Sequence, residues 1–189
     1  MKLLHLALVG ALALASTAVG AFAGEDDFLT IQLKDGPVVI ELLPDVAPKH
    51  VAQIKELAKK GEYDNVAFHR VIDGFMAQTG DVQFGDMESG FEAGRAGTGG
   101  SSLPDLPAEF SNIPFEKGTV GMARSQDPNS ANSQFFIMFA DGGFLNGQYT
   151  VVGKVIAGMD YVDKIKRGEG GNGEVTDPDR MIKVTVGRK

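Results

Sequence analysis

FHRVIDGFMAQTGD, residues 68–81, sits within two short apolar runs, Ala67–Ile72 and Phe75–Gln78, parted by Asp73-Gly74. Apolar runs broken by such a pair read as two adjacent strands. Side chains alternate faces along a strand, so Met76 and Gln78 share one face, and Arg70 shares a face with Phe68 and Ile72. A guanidinium with five fixed donors, an amide, a thioether and a phenyl ring are thereby expected close together. That set suits a neutral, ring-shaped, amide-containing ligand better than an anion. It includes no evident nucleophile and no metal-ligand cluster. An arginine in a strand is as a rule a solvated residue and its apolar neighbours core, so the rest of the chain has to weigh in.

Outward from this stretch, the composition describes one domain behind an export signal. The chain has 189 residues, 43% hydrophobic, enough for a single sizeable core. Its 25 glycines and 8 prolines call for many turns, which suits a β-rich fold. A net charge of −7 argues against nucleic acid and anionic membrane surfaces as partners. Residues 1–23 read as a signal peptide: Lys2 is the positive start, Leu3–Ala15 the apolar stretch, and Ala21-Phe22-Ala23 the small-x-small cleavage pattern. Ser16 and Thr17 leave the run short of the ~20 apolar residues of a membrane span. With no cysteine there is neither lipid-bearing thiol nor disulfide. The mature chain, residues 24–189, is expected to be periplasmic or secreted, without an integral membrane segment.

In the mature chain, Phe28–Leu33 and Val38–Leu43 flank Asp35-Gly36 as a hairpin. Pro44–Gly61 reads as a helix with Val51, Ile54, Leu57 and Ala58 on one stripe. Lys49, Lys55, Lys59 and His50 are expected on its solvated side. Residues 82–117 form a long irregular segment around Gly97-Thr98-Gly99-Gly100. That glycine cluster lacks the Lys-Ser/Thr of a phosphate loop, and a loop of this length in a compact domain is often functional. Further strands are expected at Thr119–Ala123, Gln134–Phe139, Thr150–Ile156 and Met181–Val186, and a helix over Met159–Arg167 with Val162 and Ile165 inward. About eight mostly antiparallel strands with two helices close most economically into a barrel, which removes exposed edges.

Phe68-His69-Arg70-Val71-Ile72-x-Gly74-Phe75-Met76-x-Gln78 resembles the signature of the cyclophilin family of peptidyl-prolyl cis/trans isomerases, and Ser133-Gln134-Phe135-Phe136-Ile137 resembles its second signature. Gly97-Thr98-Gly99-Gly100 and Val152-Gly153-Lys154-Val155 follow in the family's order, and the match runs from about Phe28 to Val186. The resemblance implies a closed eight-stranded antiparallel barrel capped by two helices, with the active site on its outer face and no cofactor. It implies Arg70 as the catalytic arginine and Phe75, Met76, Phe136 and Leu145 as the proline pocket. Gln78 and Gln134 become polar flanks, Ala123 and Arg124 backbone for the substrate chain, and Gly97 and Thr98 a groove for residues before the proline. Phe144 and Tyr149 stand where many members carry Trp and His. Asp73 replaces a common Pro, Thr79 a common Gly, and the Asp81–Gly97 loop is longer than in compact members. The partners implied are proline-containing peptides and unfolded or folding proteins, met by a monomer. Two other functions stay open: an exported proline-binding chaperone or adaptor with incidental isomerase activity, and a barrel carrying a small apolar ligand inside.

Overall fold

The computed structural model describes residues 26–187. The expected signal peptide therefore lies outside the described residues. The chain opens with the expected hairpin, β1 (Phe28–Gln32) and β2 (Pro37–Leu42), closed by reciprocal Leu33–Gly36 backbone hydrogen bonds of 3.0 and 3.3 Å. Helix α1 (Pro48–Lys59) follows, then β3 (Val66–Ala67), β4 (Arg70–Ile72) and β5 (Met76–Thr79). After the long irregular segment come β6 (Thr119–Met122) and β7 (Phe135–Met138). A 3-10 turn (Gly143–Leu145), β8 (Val151–Ala157), α2 (Met159–Val162), β9 (Arg180–Met181) and β10 (Lys183–Gly187) complete the order.

Eight strands form one antiparallel sheet in the order β10-β1-β2-β8-β6-β7-β5-β4. Its edges, β4 and β10, do not pair with each other. The separate antiparallel pair β3–β9 spans the seam instead, each strand leading directly into one edge. The antiparallel sheet is thus eight-stranded as expected and forms a half-barrel, its two edge strands linked through the β3–β9 pair and not directly to each other.

That seam changes the reading of the central stretch. The expected strand Ala67–Ile72 is two strands, because β3 belongs to the seam and β4 to the main sheet. Between them the Phe68 N–H donates to the Asp179 carbonyl at 2.8 Å. The strand alternation restarts there, so Phe68 is buried in the main core with Val71, while Ile72 packs on the outer face. Phe68 and Arg70 do not share a face. Further along, the alternation holds. Phe135 and Ile137 of β7 point into the main core, and Phe136 and Met138 into a second apolar cluster outside it.

Helix α1 begins at Pro48, later than Pro44, because residues 43–47 are taken up in a turn on the Leu43 carbonyl. No side chain of the helix's own start caps it. The Glu109 carboxylate does so from the long segment, accepting from the Lys49 and His50 N–H groups at 3.2 Å. His50 is correspondingly not solvated. It is fully buried, and its Nδ1 lies 2.7 Å from Glu109 Oε2. Helix α2 ends at Val162, and the chain continues through turns of i to i+3 hydrogen bonds that still bury Val162 and Ile165.

The long segment, residues 82–117, is pinned by side chains that replace regular structure. The buried Asp81 carboxylate accepts from Gln83, Phe84, Gly97 and Gly99 N–H groups at 2.7–3.1 Å. Asn132 holds Ser101 and Leu103, and Asn146 Oδ1 accepts from the Phe115 N–H. This satisfies backbone groups that would otherwise be left without partners, and it delivers residues 97–99 to the barrel's outer face.

Candidate active site

Three neighbouring strands build the site. In the β4–β5–β7 ladder, Arg70 lies opposite Gln78, Ile72 opposite Met76, and Gln78 opposite Phe136. Directly opposed side chains on one sheet face are in contact range. Arg70 Nη1 accordingly donates to Gln78 Oε1 at 3.2 Å, and Gln78 Nε2 to Gln134 Oε1 at 2.9 Å. Gln134 Nε2 ends the row on the Gly99 carbonyl at 2.7 Å. On its other side Arg70 Nε donates to the Asn172 carbonyl at 2.9 Å. Two of the five guanidinium N–H groups are so engaged, which fixes the plane and leaves three for a ligand.

Beside this polar row lies an apolar recess of about 280 Å³. Met76, Phe136 and Leu145 are buried at its floor, and Phe144, 66% exposed, stands at its rim. The rings support one another: Phe115 stacks on Phe136 at 5.7 Å, Tyr149 meets Phe136 edge-on at 5.9 Å, and Phe75 lies 5.4 Å from Phe144. Gly121 makes the floor possible. A Cβ there would sit 2.5 Å from Phe115 and 2.6 Å from Phe136, so any side chain would part the stack.

A second, more polar recess of about 260 Å³ adjoins the first. Gly97, Thr98, Gly99 and Gln134 contribute to it, with Ser130 and Asn132. Gln78, Ala123 and Arg124 line both recesses and form the ridge between them. Every residue singled out in the sequence for catalysis or substrate binding therefore lies in one or both recesses. The sequence did not single out Asn172, Asp81 or Phe115. Asn172 acts through a backbone carbonyl in a glycine-rich loop, which leaves no side-chain signal.

The sequence model described as "Cyclophilin type peptidyl-prolyl cis-trans isomerase/CLD" matches residues 28–186, the whole barrel and both recesses. The chain belongs to the cyclophilin family of peptidyl-prolyl cis-trans isomerases. It is 65% identical over 177 residues to a probable peptidyl-prolyl cis-trans isomerase of Brucella suis, covering 93% of this chain and 90% of that one. To peptidyl-prolyl cis-trans isomerase B of Escherichia coli K12 it is 38% identical over 147 residues, covering 73% and 83%. Among solved structures, a cyclophilin of Hirschia baltica superposes with TM-score 0.72 at 26% identity, over 86% of this chain and 74% of that chain. A Cryptosporidium parvum cyclophilin, solved in the presence of the dipeptide Ala-Pro, gives TM-score 0.69 at 25% identity, over 86% and 99%. Among the described residues of this cyclophilin, no helix is long and apolar enough to cross a membrane.

One further cyclophilin residue of the signature stretch has a distinct setting. His69 is buried, its ring against the Gly97 backbone. Burial pushes its pKa below the ordinary histidine value, against opposing pulls from the Asp81 carboxylate and the Ala67 backbone. Burial thus disfavours its charged form, and its ring packs against Gly97 of the polar recess.

Proposed function

We propose that this cyclophilin catalyses X-Pro rotation by stabilising the twisted amide through Arg70 while the apolar recess holds the prolyl ring. The observation that carries the proposal is the fixed guanidinium: braced by Gln78 and the Asn172 carbonyl, it presents unused donors beside that recess. Amide resonance sets a barrier of roughly 18–20 kcal/mol. In the twisted form resonance is lost and the prolyl nitrogen regains its lone pair, so a donor aimed at it binds the transition state better than the planar ground state. Phe75, Met76, Phe136 and Leu145 grip the ring while the carbonyl side turns, and keep away water that would strengthen the resonance. A thousandfold acceleration requires only about 4 kcal/mol, and the reaction makes and breaks no covalent bond.

Substrate chains would enter with proline in the apolar recess and preceding residues across the ridge into the polar one. The clients are proline-containing segments of exported, folding proteins, in keeping with the leader-like pattern Lys2, Leu3–Ala15 and Ala21-Phe22-Ala23. Protein from the cell envelope should begin at Gly24; a chain still starting at Met1 and sedimenting with membranes would overturn the export assignment. For the site itself, Phe136→Ala should lose peptide affinity and turnover together in a peptide isomerisation assay paired with NMR titration. A folded Phe136→Ala variant that binds a proline peptide as before would contradict the assignment of the prolyl ring to this recess.

A further inference from the structure

The charge on the active face is one-sided. Among the described residues no aspartate or glutamate lines either recess, although the chain as a whole carries a net charge of −7. Arg95, Arg167 and Arg180 are each ion-paired, with Glu92, Asp73 and Glu88. Arg70 and Arg124 belong to none of the ion pairs of the described residues, and both line the apolar recess. Arg70 is accounted for by the reaction. Arg124 is not.

Arg124 stands on the ridge, and its guanidinium is fixed before any ligand arrives. Nε and Nη2 donate to the Gln148 carbonyl at 3.3 and 2.9 Å, and Nη1 donates to the Ser125 and Gln126 carbonyls at 2.8 and 3.3 Å. The group also lies 4.5 Å over the Tyr149 ring. These acceptors are neutral dipoles, so the positive charge is retained, and one N–H on Nη2 has no acceptor among the described residues. Because the side chain is already ordered, an ion pair formed here escapes the ordering entropy that makes most surface pairs weak. Asp105 is engaged by the amide of Asn132 in the wall of the polar recess at 3.0 Å and Asp127 by the Asn129 N–H at 2.8 Å, and neither lines a recess.

Register then identifies the substrate position. Side chains of an extended peptide alternate in direction. With the prolyl ring down in the apolar recess, the residue before it points away, and the side chain two before the proline descends into the polar recess past Arg124. We propose that Arg124 makes this cyclophilin select X-Pro segments with Asp or Glu two residues before the proline and disfavour Lys and Arg there. The inference rests on the prolyl ring occupying the apolar recess, as argued above.

The test is kcat/KM of the protein on three otherwise identical proline peptides, carrying Ala, Glu or Lys two residues before the proline. At low ionic strength the Glu peptide should exceed the Lys peptide by roughly three- to tenfold, the range open to a part-exposed pair acting with opposite sign on the two peptides. The ratio should shrink towards one in about 0.5 M salt, where the screening length falls to a few ångströms. In Arg124→Gln, whatever its overall rate, the Glu-to-Lys ratio should fall to near one. Equal rates for Glu and Lys in the unaltered protein at low salt, or a ratio that survives Arg124→Gln, would overturn the selectivity. Should Arg124→Gln not fold, the salt series on the unaltered protein decides alone, and a salt-independent ratio counts against Arg124. A lack of acceleration on all three peptides would instead remove the isomerase mechanism on which the inference rests.

Discussion

Arg70 takes its orientation from two acceptors that approach from opposite sides, the Gln78 side chain across a strand pair and the Asn172 backbone carbonyl from a distant loop. A planar fork can satisfy both and still present free N–H groups. A lysine cannot, since its ammonium is a point donor on a flexible stem. Arg70→Lys should therefore recover little of the rate lost in Arg70→Ala, measured as kcat/KM on a short X-Pro peptide. Phe144 poses a different question at the same scale. It gives the rim an apolar surface without a donor, where a Trp would offer an indole N–H. A ligand carbonyl placed there stays unpaired, at about 1–3 kcal/mol if buried. Cyclosporin, the cyclic-peptide inhibitor of the family, should accordingly bind weakly, and Phe144→Trp should tighten its affinity several-fold in a titration while turnover stays largely intact. These side chains were legible in the sequence because strand alternation and two signature runs place them. The Asn172 carbonyl was not, since a backbone acceptor carries no residue-type signal.

Elements in this molecule depend on single distant residues for their ends. Helix α1 has no cap of its own, and Glu109 supplies it while also bonding His50. Glu109→Ala should cost about 1–3 kcal/mol, the penalty for leaving buried donors unsatisfied, seen as a lower midpoint in chemical denaturation with the slope unchanged. The loop carrying Asn172 is pinned on β4 through Gly173, whose N–H-bearing neighbour Val71 donates to the Gly173 carbonyl at 2.7 Å. Gly173 has φ +72°, and a Cβ there would lie 2.5 Å from Ile72 and 2.9 Å from the Val71 carbonyl. Gly173→Ala should thus shift the Asn172 acceptor and lower kcat while peptide affinity, held by the apolar recess, changes little. The hairpin, β5 and β7 were readable from alternation, and α1 from its apolar stripe. The break at Phe68 and the start of α1 at Pro48 were not, because each is set by a partner far along the chain: Asp179 for the first, Glu109 for the second. The burial of His50 is set by the same distant partner, Glu109.

For the whole molecule, His69 and Glu109 are among the groups that tie stability to pH, and both act in the same direction. His69 is depressed below the ordinary histidine value of 6.5, chiefly by burial. Its contribution is complete above about pH 6.5 and is lost as pH falls through its folded value, because the unfolded chain takes up the proton first. Burial opposes ionisation of Glu109, but hydrogen bonds from the His50 side chain and from the His50 and Lys49 backbone prevail and hold it below the ordinary 4.5. Its contribution is complete above about pH 4.5 and is lost as pH falls through its folded value. Melting temperature should therefore decline in two stages, starting below pH 6.5 and again below pH 4.5. His69→Gln should flatten the first stage even if it lowers the whole curve. A barrel was legible from strand count and antiparallel hairpins, whereas its seam was not. Strands of two residues such as β3 and β9 leave no periodic pattern, and their pairing joins segments far apart in the chain.

The most direct test of the mechanism is a paired measurement on Arg70→Ala, made after a melting curve shows the variant folded: the peptide isomerisation rate, and proline-peptide affinity by NMR titration. If the guanidinium acts on the twisted amide, kcat/KM should fall by roughly two to three orders of magnitude, about 3–4 kcal/mol, while affinity falls far less. A folded Arg70→Ala that keeps most of its rate would contradict the mechanism and leave rotation to Gln78 or to desolvation in the apolar recess.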